Sequence, residues 1–274
     1  MKKKSIEDSL KNQVYDFWNE AACGEKLYLE NLDSDSFKKQ ANIRYQLEPY
    51  ILTFAEFDKA TGKNVLEIGL GLGADHQQFA EAGANLYGID ITDRAVFMTR
   101  ERLLLQDLKS CLIQGDAEKL PYKNNSFDLV YSWGVLHHSP NTQCAIDEVY
   151  RVLKPGQKAK IMIYHKKSIV GFMLWLRYGL AAGKPFISWD YLYSNYLESP
   201  GTKAYSIQEA KKLFQSFANV NISTVLTHGD LLTSQAGQKH ESFILDIMRL
   251  IWPRKLIKKL FSKNGLFMLI EAYK

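Results

Sequence analysis

The apolar positions of this chain fall into two alternating periods. Residues 64–68, NVLEI, form a short apolar run of the kind a buried strand uses, and a helical period follows from about Ala74 to Ala82 after the glycines of GLGLG. The same succession recurs down the chain. Asn85–Asp90 reads as a second strand, and Thr92 offers an N-cap for a helix carrying Val96, Leu103 and Leu104. Leu112–Gln114 and Phe127–Trp133 read as third and fourth strands, the latter after the turn-forming KNNS. A helix over Thr142–Leu153 leads through the turn KPGQ to a fifth strand at Lys160–Tyr164. Strand and helix in alternation imply an α/β fold with a parallel, doubly wound sheet.

Three stretches depart from that rhythm. Residues 1–60 carry helical patterns (Val14, Phe17, Trp18, then Tyr45, Leu47, Tyr50, Ile51, Phe54) interrupted by Pro49, and are read as a helical N-terminal cap on a domain spanning 61–274. Residues 166–205 form an aromatic-rich insertion without clean periodicity. Ser206 with Glu209 makes a capping box, Val220–Leu226 reads as a strand, and a basic insertion at 228–265 precedes a closing strand at Leu266–Ala272.

Composition narrows the class without naming a function. At 274 residues, 46% hydrophobic and 24% charged, the chain is ordinary globular protein with ample length for a core. A net charge of +5 is too mild for a nucleic-acid footprint. Cys23, Cys111 and Cys144 are odd in number and follow no metal-ligand or disulfide spacing, so a reducing, cytoplasmic compartment and no metal are expected. The basic start MKKKSIEDSLKNQ lacks the apolar run of a signal peptide, and no stretch reaches the roughly 18 apolar residues of a span. Arg249–Lys263 places Arg and Lys beside Leu256, Ile257, Leu260 and Phe261 at helical spacing, which suits either a solvated amphipathic helix or peripheral membrane contact.

The candidate chemistry starts at the glycines. A glycine turn between strand and helix lets the backbone approach a ligand closely, while the first N–H groups of the helix face it. Gly69, Gly71 and Ala74 also satisfy the dinucleotide pattern GxGxxG/A, with Asp90 about 20 residues on. The turn alone thus leaves two cofactor classes open. Because a Rossmann-like sheet binds ligands at the carboxyl ends of its strands, Gly69–Gly73, Asp90, Asp116–Ala117 and Ser132–His138 belong to one cleft. Asp90 can accept ribose hydroxyls, Asp116 an adenine amine, and the Ala117 amide can donate to a ring nitrogen.

Taken together, VLEIGLGLG, GIDIT, QGDAEKLPY, FDLVYSWGVLHH and RVLKPGQKAKIM resemble the class I S-adenosylmethionine-dependent methyltransferases, in particular the small-molecule and quinone-type branch. The resemblance covers about residues 64–165 and implies a seven-stranded sheet in the order 3-2-1-4-5-7-6 with the last strand antiparallel. It implies S-adenosylmethionine contacts at Glu67, Gly69, Leu70, Gly71, Gly73, Asp90, Ile91, Asp116, Ala117, Glu118, Ser132 and Trp133, and more weakly at Arg44 and Tyr45. The expected reaction is methyl transfer to a small aromatic or apolar metabolite. A prenylated quinone or lipid acceptor, a non-catalytic cofactor-binding module and a nicotinamide oxidoreductase are the alternatives. Displacement at a methyl group needs mainly alignment and exclusion of water. Where a proton must leave, His138, His165 and His137 are the candidate bases, because their topology sets them at strand ends and histidine titrates near neutrality.

Overall fold

A computed structural model describes residues 2–233 and 249–274. Its centre is a seven-stranded sheet in the order β3-β2-β1-β4-β5-β7-β6. The strands are β1 (Asn64–Ile68), β2 (Asn85–Asp90), β3 (Cys111–Gln114), β4 (Phe127–Trp133), β5 (Leu153–Tyr164), β6 (Asn219–Val225) and β7 (Phe267–Tyr273). The first five run parallel, and β7 lies antiparallel between β5 and β6.

Alternation within the strands builds two cores, one on each face. Leu66, Ile68, Val130, Ile161, Ile163, Met268 and Ile270 face the helix Thr142–Val152 through Ala145, Ile146 and Val149. Val65, Leu129, Tyr131, Met162, Tyr164, Phe267 and Leu269 face the other way, against Ile51, Phe57 and Phe79. A sheet covered on both faces is what allows its central strands to be apolar throughout. The helices between strands start where the sequence supplies caps: Thr92 Oγ1 accepts from the Ala95 amide, Asn141 Oδ1 from Cys144, and Ser206 with Glu209 closes a reciprocal capping box.

Two boundaries differ from the sequence reading. KPGQ is not a turn outside the sheet. β5 begins at Leu153, and the register with β4 slips between Phe127 and Leu129, so residues 154–157 are absorbed as an irregular stretch of strand. There the Gly156 amide donates to the Lys274 carbonyl at 2.9 Å, and the Lys274 amide returns a bond to Gln157 at 3.0 Å. The basic segment is likewise not one helix from Arg249 to Lys263. Trp252 and Pro253 interrupt it, since proline has no N–H to continue the ladder, and the helix proper is Arg254–Leu260. Part of the second insertion, 234–248, lies outside the described residues.

Residues 2–60 are mostly helical: α1 (Lys2–Glu20), α2 (Glu25–Tyr28), α3 (Ser34–Leu47) and α4 (Tyr50–Ala55). Residues of α1, α2 and α3 line the cavity at the carboxyl ends of the strands, while α4 packs on a sheet face through Ile51 and Ala55. Arg102, fully buried, donates to the carbonyls of Leu72 and Phe37 and to Gln40 Oε1, pinning α3 to the sheet domain. Farther along, Asp230 ties both insertions together. Its carboxylate accepts from the amides of Thr227, Leu266 and Val170 and from the Thr227 hydroxyl, at 2.8–3.1 Å. The result is one cavity of about 390 Å³ bounded by the strand ends, the N-terminal helices and the insertions.

Candidate active site

The glycine turn forms the cavity floor. Gly69 has φ +85°, and a Cβ there would lie 2.0 Å from Val135 Cγ2, so the Val135 side chain already fills that space. Gly71, φ +54°, is different: a Cβ there would meet no protein atom within 4 Å and would stand in the cavity itself. Gly73 caps the helix Ala74–Glu81 and does not line the cavity; it packs against Thr99. Asp90 is held by the Leu70 amide at 2.7 Å and by the Thr92 amide and hydroxyl at 2.9 and 2.8 Å. Asp90 also lines the cavity, where it can accept from a ligand hydroxyl. Asp116 receives Lys11 Nζ from α1 at 2.6 Å, and Glu118 receives the same ammonium at 2.8 Å. Ile91 and Ala117 line the cavity beside them, whereas Glu118 reaches it only through Lys11. An open glycine position between two strand-end carboxylates fits a nucleoside cofactor.

At the next section of the cleft, Asp75 collects four donors. Arg44 binds it through Nε at 3.0 Å and Nη2 at 2.7 Å, Tyr45 through its hydroxyl at 3.0 Å, and Tyr131 at 2.8 Å. Burial opposes its charge, but Arg44 and the tyrosine bonds outweigh that and hold the carboxyl below its ordinary range. Tyr45 is thereby spent on Asp75 and does not line the cavity, while Arg44 does.

Beneath the turn, Glu67 Oε2 lies 2.8 Å from His76 Nδ1, and His76 Nε2 lies 2.8 Å from Ser110 Oγ. Ser110 already donates its proton to the Leu86 carbonyl, so His76 Nε2 must carry the hydrogen in that contact. Burial raises Glu67 well above the carboxylate range and lowers His76 to about 3. The two therefore share one proton as a neutral pair. Ser132 donates to the Ile68 carbonyl at 2.9 Å and serves the strand; it does not line the cavity.

The far end is an aromatic chamber walled by Trp133, Tyr164 and Phe267, with Trp18 and Tyr28 from the N-terminal helices. Tyr164 and Phe267 stack with centroids 5.8 Å apart. His138 enters this chamber. Its Nδ1 contacts Ser199 Oγ at 2.8 Å and Thr202 Oγ1 at 3.1 Å, and Trp18 stands edge-on to its ring. Thr202 gives its own proton to the Ser199 carbonyl, and the Ser199 hydroxyl shares the shorter hydrogen bond with Nδ1. Nε2 has no hydrogen-bond partner and lies 3.5 Å from Glu198 Oε2. Burial lowers His138 to about 3, so the ring is neutral.

Two of the three candidate bases lie elsewhere. His137 does not line the cavity; it is fully buried behind Tyr164, with ring centroids 4.0 Å apart. His165 is turned away as well, its Nδ1 donating to the Gly265 carbonyl at 3.2 Å. Strand ends set the backbone of these residues near the cleft, but the local backbone, a 3₁₀ turn at Leu136–His138 and the end of β5 at His165, decides which side chains enter it. Sequence reading missed Lys11, Glu48, Asp75, Tyr131 and Glu198. Each is brought in by a contact with residues distant in the chain, and only Tyr131 lies within one of the quoted motifs.

Residues 66–161 match a family described as Methyltransferase domain. The chain is 31% identical over 166 residues to the demethylmenaquinone methyltransferase of Tropheryma whipplei, covering 59% of this chain and 68% of that protein. It is 33% identical over 150 residues to the sterol 24-C-methyltransferase of Pneumocystis carinii, covering 53% and 38%. For several such curated relatives the chain spans only 25% to 38% of their length. Among solved structures, phosphoethanolamine N-methyltransferase 2 of Haemonchus contortus, with phosphomonomethylethanolamine and S-adenosylhomocysteine bound, superposes with a TM-score of 0.55 at 18% identity, over 84% of this chain and 52% of that one. That likeness is one of fold.

Proposed function

We infer a function from the premise that the chain belongs to the class I S-adenosylmethionine-dependent methyltransferases. We propose that it transfers a methyl group to a small organic acceptor with an apolar body. One observation carries this reading: a single cavity runs from Asp90 and Asp116, over the open Gly71, into a chamber of Trp133, Tyr164 and Phe267.

S-adenosylmethionine, when bound, supplies an electrophilic methyl on a sulfonium. The protein's own part is to hold and align. Asp90 takes the ribose, Asp116 and Ala117 take the adenine, and Lys11 orients Asp116 while drawing α1 over the nucleoside. Arg44 Nη1, not bonded to Asp75 and 3.6 Å from Glu48 Oε2, is the atom nearest to hand for the carboxylate of the methionine end. The aromatic walls exclude water and seat the acceptor. His138 Nε2 hydrogen-bonds the acceptor and orients its reacting atom. Free thiols at Cys23, Cys111 and Cys144 fit a reducing compartment. Calorimetric titration with S-adenosylhomocysteine, followed by transfer of labelled methyl into extract of the source cells, tests the reading. Binding with label in a small-molecule fraction supports it; absence of binding refutes it.

A second reading, of an acceptor met at a membrane surface, is favoured by a specific observation. Leu250 and Ile251 are 84% and 69% exposed, and Leu256, Leu260 and Phe261 are exposed beside Lys255, Lys258 and Lys259. Apolar side chains among lysines suit an anionic bilayer. No helix of the described residues is long and apolar enough to cross one. Co-flotation with vesicles containing anionic lipid, abolished by Leu250→Ser with Ile251→Ser, is the expected result. Protein left at the bottom of the gradient retires the idea.

A further inference from the structure

The cavity extends past His138. Asp90 and Asp116 come at the ends of β2 and β3, toward one edge of the sheet, and His138 follows β4. The next strands across the sheet are β5, β7 and β6. Tyr164 ends β5 and Phe267 opens β7, and because β7 is antiparallel the two residues pair at the same end of the sheet. Val225, the last residue of β6, pairs with Phe267 in turn, and Thr227, His228 and Gly229 just beyond it line the cavity. The cavity therefore crosses the strand ends as far as β6, at the edge opposite the nucleoside carboxylates.

Beyond Phe267, His228 brings polar atoms that no other contact uses. Thr227 gives its hydroxyl to Asp230 at 2.9 Å, Gly229 has no side chain, and Leu266 is apolar. The His228 ring is half-buried, and its buried Nδ1 has no hydrogen-bond partner. A buried nitrogen left unpaired is destabilising, and a ligand that bonds it removes that penalty. Burial alone lowers the pKa of His228, so the ring is neutral, with one N–H and one lone pair, and can either donate or accept. His138, at the near end of the same chamber, is also a neutral ring with an unpartnered nitrogen. Between the two stand the stacked rings of Tyr164 and Phe267, with Trp133 edge-on to Phe267.

We propose that His228 is a second anchor for the methyl acceptor. His138 meets the end presented to the cofactor, Tyr164 and Phe267 seat the apolar body, and His228 bonds a hydroxyl, carbonyl or amine at the remote end. The proposal rests on the methyl-transfer reading and names its acceptor class: an apolar scaffold with a hydrogen-bonding group at each end. Three strand spacings of about 4.8 Å separate β4 from β6, so the two rings reach different parts of one molecule lying across Tyr164 and Phe267. His228 takes no part in the displacement. Its bond is made equally in the bound acceptor and in the transition state, so it sets KM and selects the acceptor while leaving kcat unchanged.

The full chain is compared with His228→Phe, which keeps a flat ring and removes both nitrogens, and with His228→Gln, which restores a hydrogen-bonding group. S-adenosylhomocysteine affinity is measured by calorimetry, and transfer from labelled S-adenosylmethionine is followed over a dilution series of source-cell extract, which reads half-saturation without the acceptor's identity. In His228→Phe the half-saturating extract concentration should rise about 3- to 10-fold, the loss of one hydrogen bond, with the plateau rate within about twofold and cofactor affinity unchanged. His228→Gln should recover part of the loss. An unchanged half-saturating concentration in His228→Phe overturns the proposal, and so does a fall in the plateau alone. Mass spectrometry of the labelled product should show a polar group besides the methylated one; a product whose methylated group is its sole polar group also overturns it. Failure of the unsubstituted protein to bind S-adenosylhomocysteine or to transfer label would instead refute the methyl-transfer reading.

Discussion

Replacing Asp75 by asparagine tests whether the N-terminal helices are an integral wall of the site. All four contacts to Asp75 are donors: Arg44 Nε and Nη2, and the hydroxyls of Tyr45 and Tyr131. An amide keeps one acceptor oxygen but turns an NH₂ toward donors, so at least one contact becomes repulsive and Arg44 loses its counter-charge. Removing one partner of a buried pair costs ~3–5 kcal/mol. At ~2–4 °C per kcal/mol for a chain of this size, Tm should fall by roughly 6–20 °C. Because the folded pKa of Asp75 is depressed, its contribution is present above the ordinary carboxylate range and is lost as pH falls through the folded value. The deficit of Asp75→Asn should therefore shrink in acid. Urea unfolding followed by far-ultraviolet circular dichroism, in a double-mutant cycle with Arg44→Met, gives the pair's coupling. A single-mutant loss under about 1 kcal/mol, with coupling under about 0.5 kcal/mol, would refute the reasoning.

Three further outcomes are expected. Gly71→Ala should weaken S-adenosylhomocysteine at least about tenfold by calorimetry with a small change in Tm, because its methyl projects into the cavity, whereas Gly69→Ala should lower Tm strongly through collision with Val135; equal effects on both would contradict the cradle. Glu48→Gln should gain stability over the unsubstituted protein as pH rises from 5 to 8, by up to roughly 3 kcal/mol, since a folded pKa raised to about 7 contributes stability below the unfolded value and loses it through 7; parallel stability curves would count against it. His138→Ala should lower kcat/KM by roughly 3- to 10-fold, one hydrogen bond's worth, while His165→Gln stays within about twofold because its ring never reaches the cavity; the reverse order would reassign the chamber.

Local patterning was enough to read the sheet elements, their order along the chain and the glycine cradle, because each is written in short-range periodicity and in residues whose backbone freedom has a single use. Asp90 and Asp116 were legible for the same reason: a carboxylate at a strand end has a fixed place in this topology. The strand order 3-2-1-4-5-7-6 came from resemblance, since antiparallel β7 between β5 and β6 has no local signature. KPGQ misled because a strand that pairs with the end of the chain can absorb an irregular stretch that in isolation reads as a turn. What only tertiary structure decided is which side chains share the cavity. His137 and His138 are adjacent in sequence, yet one backs Tyr164 and the other faces Glu198, because in the 3₁₀ turn Leu136–His138 each residue step swings the side chain by about a third of a turn. Asp75, Glu48, Glu198 and Lys11 converge from separate elements, and their charges acquire meaning only from burial and from the partners that folding brings within a few ångströms.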